Sequence, residues 1–262
     1  MDHSQVSSAA VASEGSSGVV VKVSAILGAF RQEHRQLGLN ELSRRTGLPK
    51  ATVFRLASEM TRCGLLSRSG TDYALGPRLF ELAQLVPGRR DLREAALPFL
   101  EDVYVATRET VHLAILEGVE VVYIERLAGH RSGATPSAVA GRLPAHCTAT
   151  GKALLAHAGI ENTDRVIAAG LTPRTPFTIV LADVLRRELE RVRHARFAVE
   201  REETRLGFAS VASPVFSGDN RVVAAISVTV PIGRLDVERL AATVCVAARG
   251  LTRSLGSSVD EG

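Results

Sequence analysis

Residues 39–75 read LNELSRRTGLPKATVFRLASEMTRCGLLSRSGTDYAL. Leu39 and Leu42 lie three apart, as on one helical face, and Gly47 is a natural helix stop. Pro49 fits the first turn of a second helix, where a missing N–H costs nothing. Val53, Leu56, Ala57 and Met60 keep the i, i+3, i+4, i+7 spacing of a buried stripe. Gly64 then closes that helix as a left-handed cap. Two strand-like runs follow, at 65–66 and 73–75, around a polar tip at 67–72. Two short helices, a tight glycine turn and a small hairpin make a winged helix-turn-helix.

Such a second helix fits the major groove of DNA and presents its first turns to base edges. Here those turns carry Lys50, Thr52 and Arg55, while Arg44, Arg45 and Arg68 are placed to meet phosphates. The charge distribution agrees. Residues 19–88 hold 10 Lys and Arg against 5 acids, whereas residues 89–262 hold 22 against 21. The excess positive charge is concentrated where phosphate contact needs it. The expected partner is double-stranded operator DNA.

Working outward, 262 residues with 45% hydrophobic content suffice for two domains with real cores. No apolar run reaches 18 residues, so no membrane span is expected. Residues 1–18 are rich in Ser, Ala and Gly, without a basic or apolar signal region, and read as a disordered tail. Cys63, Cys147 and Cys245 are scattered and odd in number, which fits a reducing cytoplasm rather than a disulfide framework. Val20, Val23, Ile26, Leu27 and Phe30 mark a first helix, with an exit loop at 31–38. After the wing, a helix at 78–86 carries Leu79, Leu82 and Ala83 on one face, and Pro87-Gly88 breaks it. These limits divide the chain into a reader at 19–88, a linker helix at 89–108 and a second domain at 109–258. Pro98 lies inside the linker pattern and calls for a kink or a fresh helix start.

From Thr110 the period changes to two. Val111, Leu113 and Ile115 alternate along one strand, and 119–127 makes the return of a hairpin. Residues 128–142 read as irregular. Helices are expected near Gly151-Lys152, at 161–168 and at 182–197. Strands at 208–216 and 222–230 flank a Ser217-Gly218-Asp219-Asn220 turn, and a long helix from Asp236 closes the chain. The second domain is therefore α+β with a largely antiparallel sheet.

At this point the chain resembles the IclR family of bacterial transcription regulators. The resemblance rests on an ordered series: ELSRRTGLPKATVFRLASEM, LGPRLFELA, ETVHLAILEGVEVVYIER, RLPAHCTATGKALLA, ETRLGFASVASPVF and RVVAAISVTVP. It implies a winged-helix reader joined to a profilin- or GAF-like effector-binding domain, acting as a homodimer or dimer of dimers. Repression is the expected sign, with no cofactor and no enzymatic turnover. It also implies a small-molecule effector, a carboxylate or aromatic acid, and a pocket at Leu143, Ala149, Thr150, Glu200, Phe208, Ser210, Ser227 and Thr229. Two positions depart from the family pattern: Glu200 stands where a shorter acid is usual, and Phe208 where an aliphatic residue is expected.

The same residues bear on other chemistry. The Gly151-Lys152-Ala153 triplet lacks the glycine and hydroxyl spacing of a phosphate loop. Backbone N–H groups at Ala149, Thr150 and Gly151, at a helix start, suit a carboxylate instead. His146-Cys147 with His112 suggests a metal site or a Cys–His nucleophile pair. Neither shows a full ligand set or a third catalytic member, so Cys147 is expected to line the pocket. A hydrolase using Cys147 and His146 is the alternative function.

Overall fold

The computed structural model describes residues 18–31, 34–85, 89–128 and 141–257. The chain divides into two compact units, residues 1–87 and 88–262. The expected tail and the Pro87-Gly88 break lie outside the described residues.

The first unit holds α1 (Val19–Leu27), β1 (Gln36–Gly38), α2 (Leu39–Thr46) and α3 (Lys50–Arg62). It continues with β2 (Leu66–Ser69), β3 (Asp72–Leu75) and α4 (Pro77–Gln84). α2 ends on Gly47 at φ 70°, a conformation that costs other residues energy. Pro49 is the N-cap of α3 rather than part of its first turn, and its carbonyl accepts the Val53 N–H at 3.0 Å. Val53, Leu56, Ala57 and Met60 are buried with Ile26, Leu42, Leu66 and Tyr73 in one core. The wing is a three-stranded antiparallel sheet in the order β1-β3-β2. β1 corrects the expected exit loop: Leu37 pairs with Tyr73 and both are buried. Three residues are too few to show a period of two, so only the partner strand reveals it. The residue after the wing is glycine because a Cβ at position 76 would stand 2.1 Å from the Gly64 carbonyl oxygen. The apolar side chains of α4 are not buried: Phe80 and Leu82 are 71% and 43% exposed.

The second unit opens with α5 (Arg89–Thr107), one helix that runs through Pro98 without a fresh start. It continues with β4 (Thr110–Glu117), β5 (Glu120–Leu127), β6 (Arg142–Pro144), α6 (Ala149–Leu155), α7 (Ile160–Ala168) and α8 (Ala182–Ala195). β7 (Ala198–Arg201), β8 (Phe208–Phe216), β9 (Val222–Pro231) and α9 (Val237–Ser257) complete it. Asp236 caps α9 by accepting the Arg239 N–H at 3.1 Å. The sheet is six-stranded and antiparallel, ordered β6-β5-β4-β9-β8-β7. The two edge strands, β6 and β7, were not expected from the sequence. Most of the stretch expected to be irregular, residues 129–140, lies outside the described residues.

The sheet has a core on each face, set by the alternation of side chains. In β9, Ala224, Ile226, Val228 and Val230 pack with Leu100 and Val103 of α5 and Leu240 and Val244 of α9. On the other face, Ala225 of β9 and Ala212 of β8 join Ala153 and Leu154 of α6 and Leu185 and Leu189 of α8. Ser227 and Thr229 fall on this second face by parity. The protein is thus α+β: a winged helix-turn-helix followed by a curled antiparallel sheet with helices on both sides.

Candidate functional site

In the first unit, Lys50 and Arg55 are exposed on α3, Thr52 is half-buried, and Arg68 is exposed on the wing. Arg55 pairs with Glu59 at 3.1 Å, a weak surface contact that a phosphate can displace. Arg44 and Arg45 part company. Both bind Glu41, and their hydrogen bonds hold its carboxyl down at about 2, Arg44 first. Arg45 also turns inward and donates to the Ala29 carbonyl at 3.0 Å. It therefore ties α2 to the end of the first helical segment, and Arg44 remains as the exposed member of the pair.

In the second unit, a cavity lies on the α6 face of the sheet. Its lining contains Leu143, Ala149, Thr150, Glu200, Phe208, Ser210, Ser227 and Thr229. These eight positions come from four strands and the start of α6, far apart in the chain, and the sheet with α6 packed on it brings them together. Ser210 stands opposite Thr229 across β8 and β9, with their hydroxyls 3.0 Å apart. Four further lining residues escaped the sequence reading: Tyr123, Thr148, Thr204 and Arg205. Tyr123 was legible in principle, since its parity in β5 puts it on the α6 face. Thr204 and Arg205 sit in a loop with no period to read. The Arg205 guanidinium lies 5.1 Å from the centre of the Phe208 ring, a cation–π arrangement. The cavity measures about 20 Å³, room for about one water. A larger ligand therefore has to displace part of its wall.

The start of α6 is partly used. Thr148 caps it, accepting the Gly151 N–H at 3.1 Å, so that N–H is not available to a carboxylate. Cys147 does not line the cavity. It is fully buried, its thiol faces the Pro144 carbonyl at 3.7 Å, and burial pushes it up to about 12. A thiol so protonated is a poor nucleophile. His146 does not activate it, since its Nε2 lies 3.2 Å from the Thr172 carbonyl oxygen. The Cys147–His146 hydrolase reading therefore fails on geometry. His112 is buried, 4.9 Å ring to ring from Tyr123, and burial and then Arg126 lower it to about 3. Among the described residues no group of three His, Cys, Asp or Glu side chains is placed to hold a metal ion.

Charge beside the cavity is organised around Lys152, which is 1% exposed. Its Nζ donates to the Val199 carbonyl and to Glu203, each at 2.6 Å, with Glu188 at 3.6 Å. This anchors the loop after β7. Glu202 at φ 56° and Gly207 at φ 83° bend that loop, and the Thr175 and Thr178 hydroxyls donate to the Glu202 and Glu203 carbonyls, each at 2.6 Å. Thr204, held in the same loop, donates its N–H to Glu200 at 3.0 Å. Glu200 is 3% exposed, and burial pushes its carboxyl up to about 7 despite the Thr204 N–H. Glu203 raises it further and Lys152 opposes the rise. The one acid of the cavity thus changes charge near neutrality.

Comparison with known proteins places both units. The family model for the C-terminal part of bacterial transcriptional regulator IclR matches residues 84–253, and the IclR helix-turn-helix model matches residues 19–70. The HTH-type transcriptional regulator XynR of Escherichia coli is 32% identical over 88% of this chain and 94% of its own. The Pca regulon regulatory protein of Pseudomonas putida is 30% identical over 80% of this chain and 73% of its own. A crystal structure of an IclR homolog complexed with 4-hydroxybenzoate, from Microbacterium hydrocarbonoxydans, has a TM-score of 0.84 and 32% identity, covering 92% of this chain and all of that one. The Thermotoga maritima IclR structure has a TM-score of 0.72 at 27% identity, over 90% of this chain and 98% of that one.

Proposed function

Because the chain belongs to the IclR family of bacterial transcriptional regulators, a DNA-binding reader with an effector-binding C-terminal domain, we propose that it is a repressor whose effector is an aromatic carboxylate. The observation that carries this reading is the hydroxyl-lined cavity with Tyr123, Phe208 and Arg205 in its wall. The rings suit a flat body, and the guanidinium, with the N–H groups of Ala149 and Thr150, suits a carboxylate. Ser210, Ser227 and Thr229 offer hydrogen bonds to a ring hydroxyl. The Microbacterium homolog, bound to 4-hydroxybenzoate, supports that ligand class. Lys50, Thr52 and Arg55 are assigned to base edges, and Arg44 and Arg68 to phosphates. Repression would take place in the cytoplasm. Among the described residues no helix is long and apolar enough to cross a membrane.

The test is titration of a duplex selected from a randomised library, with and without 4-hydroxybenzoate. Couplings of this kind run to about 1–3 kcal/mol, or roughly 5–150-fold. Arg55→Ala is expected to weaken duplex binding about tenfold, by loss of one good base contact. Ser227→Ala with Thr229→Val should leave ligand-free binding intact and blunt the ligand response. An equal response in parent and double variant removes these hydroxyls from the site. No response of the parent removes the ligand class. One winged helix supplies few base contacts, so assembly as a dimer or dimer of dimers is expected. Light scattering should give two or four chains, and a monomer both with and without DNA would contradict it.

A further inference from the structure

Phe54 is the outlier of α3. The helix buries Val53, Leu56, Ala57 and Met60 at 3% exposure or less, yet leaves Phe54 51% exposed. It is not among the side chains packed against the core of its unit. A single exposed apolar residue is ordinarily unremarkable. This one occupies the face that the proposed function gives to DNA. Ala51, Phe54 and Arg55 follow the i, i+3, i+4 spacing and are all exposed, and Lys50 lies four residues before Phe54. The ring is thus flanked along the helix by two cations, in the half of the helix that meets base edges. Phe80, the other strongly exposed phenylalanine of this unit, lies on α4, outside the helix assigned to the groove. Lys50, with Arg55 held only by its exposed pair to Glu59, makes the surroundings of Phe54 suited to phosphate and base edges.

Resting on the assignment of α3 to the major groove, we propose that Phe54 is a specificity-determining residue, its ring packed on a thymine methyl group. That methyl is the one apolar feature of the major groove edge, and phenylalanine is among the side chains that contact it. Lys50 and Arg55 supply the polar contacts on either side. Phe54 supplies discrimination that they do not, because a cytosine at the same position presents no methyl. Ala51 leaves room for the ring to approach.

The experiment uses the full chain and duplexes it enriches from a randomised library. Each thymine of the enriched duplex is replaced in turn by uracil, which removes only the methyl. For the parent, uracil at one position per half-site should weaken binding about fourfold, the effect of one buried methyl group. Phe54→Ala, a surface change that leaves the core untouched, should show no loss at that position and enrich duplexes without the thymine preference. Uracil tolerated everywhere by the parent, or an equal loss in parent and variant, overturns the assignment to Phe54 and leaves the role of α3 standing. A change of mass by light scattering in Phe54→Ala would make the ring a protomer contact and likewise overturn it. If the parent enriches no sequence at all, the reading of α3 falls and this one with it.

Discussion

Glu200→Gln isolates the energetic role of the one acid in the cavity. The parent carboxyl rises from an ordinary 4.5 to about 7 because folding buries it. At about 1.4 kcal/mol for each tenfold change, that is a ceiling of about 3 kcal/mol. The folded value is raised, so the stability is fully present below 4.5 and is lost as pH climbs through 7. At about pH 5.5 roughly 1 kcal/mol is already gone, and at about pH 8 roughly 3. Glutamine carries no charge to desolvate, and its carbonyl oxygen can still accept the Thr204 N–H. Any cost of its extra N–H group is the same at both pH values. The clean quantity is therefore the change in the difference between parent and variant, about 2 kcal/mol in favour of the variant between these pH values. Thermal unfolding read on the effector-binding unit should show it as about 4–8 °C. Other groups titrate in the same range, but in both proteins alike. If the two show the same pH dependence, Glu200 is not the group that ionises near neutrality.

Two further outcomes follow from packing. Lys152→Met leaves Glu203 buried without its close cation, while Glu188 keeps its ion pair with Arg191, and should cost about 3–5 kcal/mol in denaturant unfolding; a loss near zero would mean that water already compensates Glu203. Gly151→Ala drives a Cβ to 2.1 Å from the Ala145 carbonyl oxygen, a backbone atom that cannot swing away. The expected cost is about 1–3 kcal/mol, and an unchanged melting temperature would show that the turn before α6 yields.

What the sequence revealed and what it hid divide along range. The stripe Val53, Leu56, Ala57, Met60 is local, and a period of 3.6 declares it. The parity of Ser227 and Thr229 is local too: it puts both on one face of their strand, while the cavity positions themselves came from the family resemblance. The bond from Arg45 to the Ala29 carbonyl spans 16 residues and leaves no trace in spacing. Lys152 was read only as part of a failed phosphate loop, since Glu203 is 51 residues distant. β1 and β6 have three residues each and β7 has four, too few for alternation to show. Arg205 belongs to a loop without periodicity, so only the fold brings it to the cavity.

The alternation along β9 also bears on how such a regulator can diverge. Ser227 and Thr229 face the cavity, while Ile226, Val228 and Val230 face the helices on the other side. One residue inserted or deleted within the strand would exchange the two sets, sending hydroxyls into the core and valines into the cavity. Changes of length inside β9 are therefore closed to a lineage that keeps this sheet. New ligand preferences must arise by replacement at fixed positions, one side chain at a time. Insertions can accumulate only beyond the strand, as in the Ser217–Arg221 turn, where no hydroxyl of the cavity depends on the count.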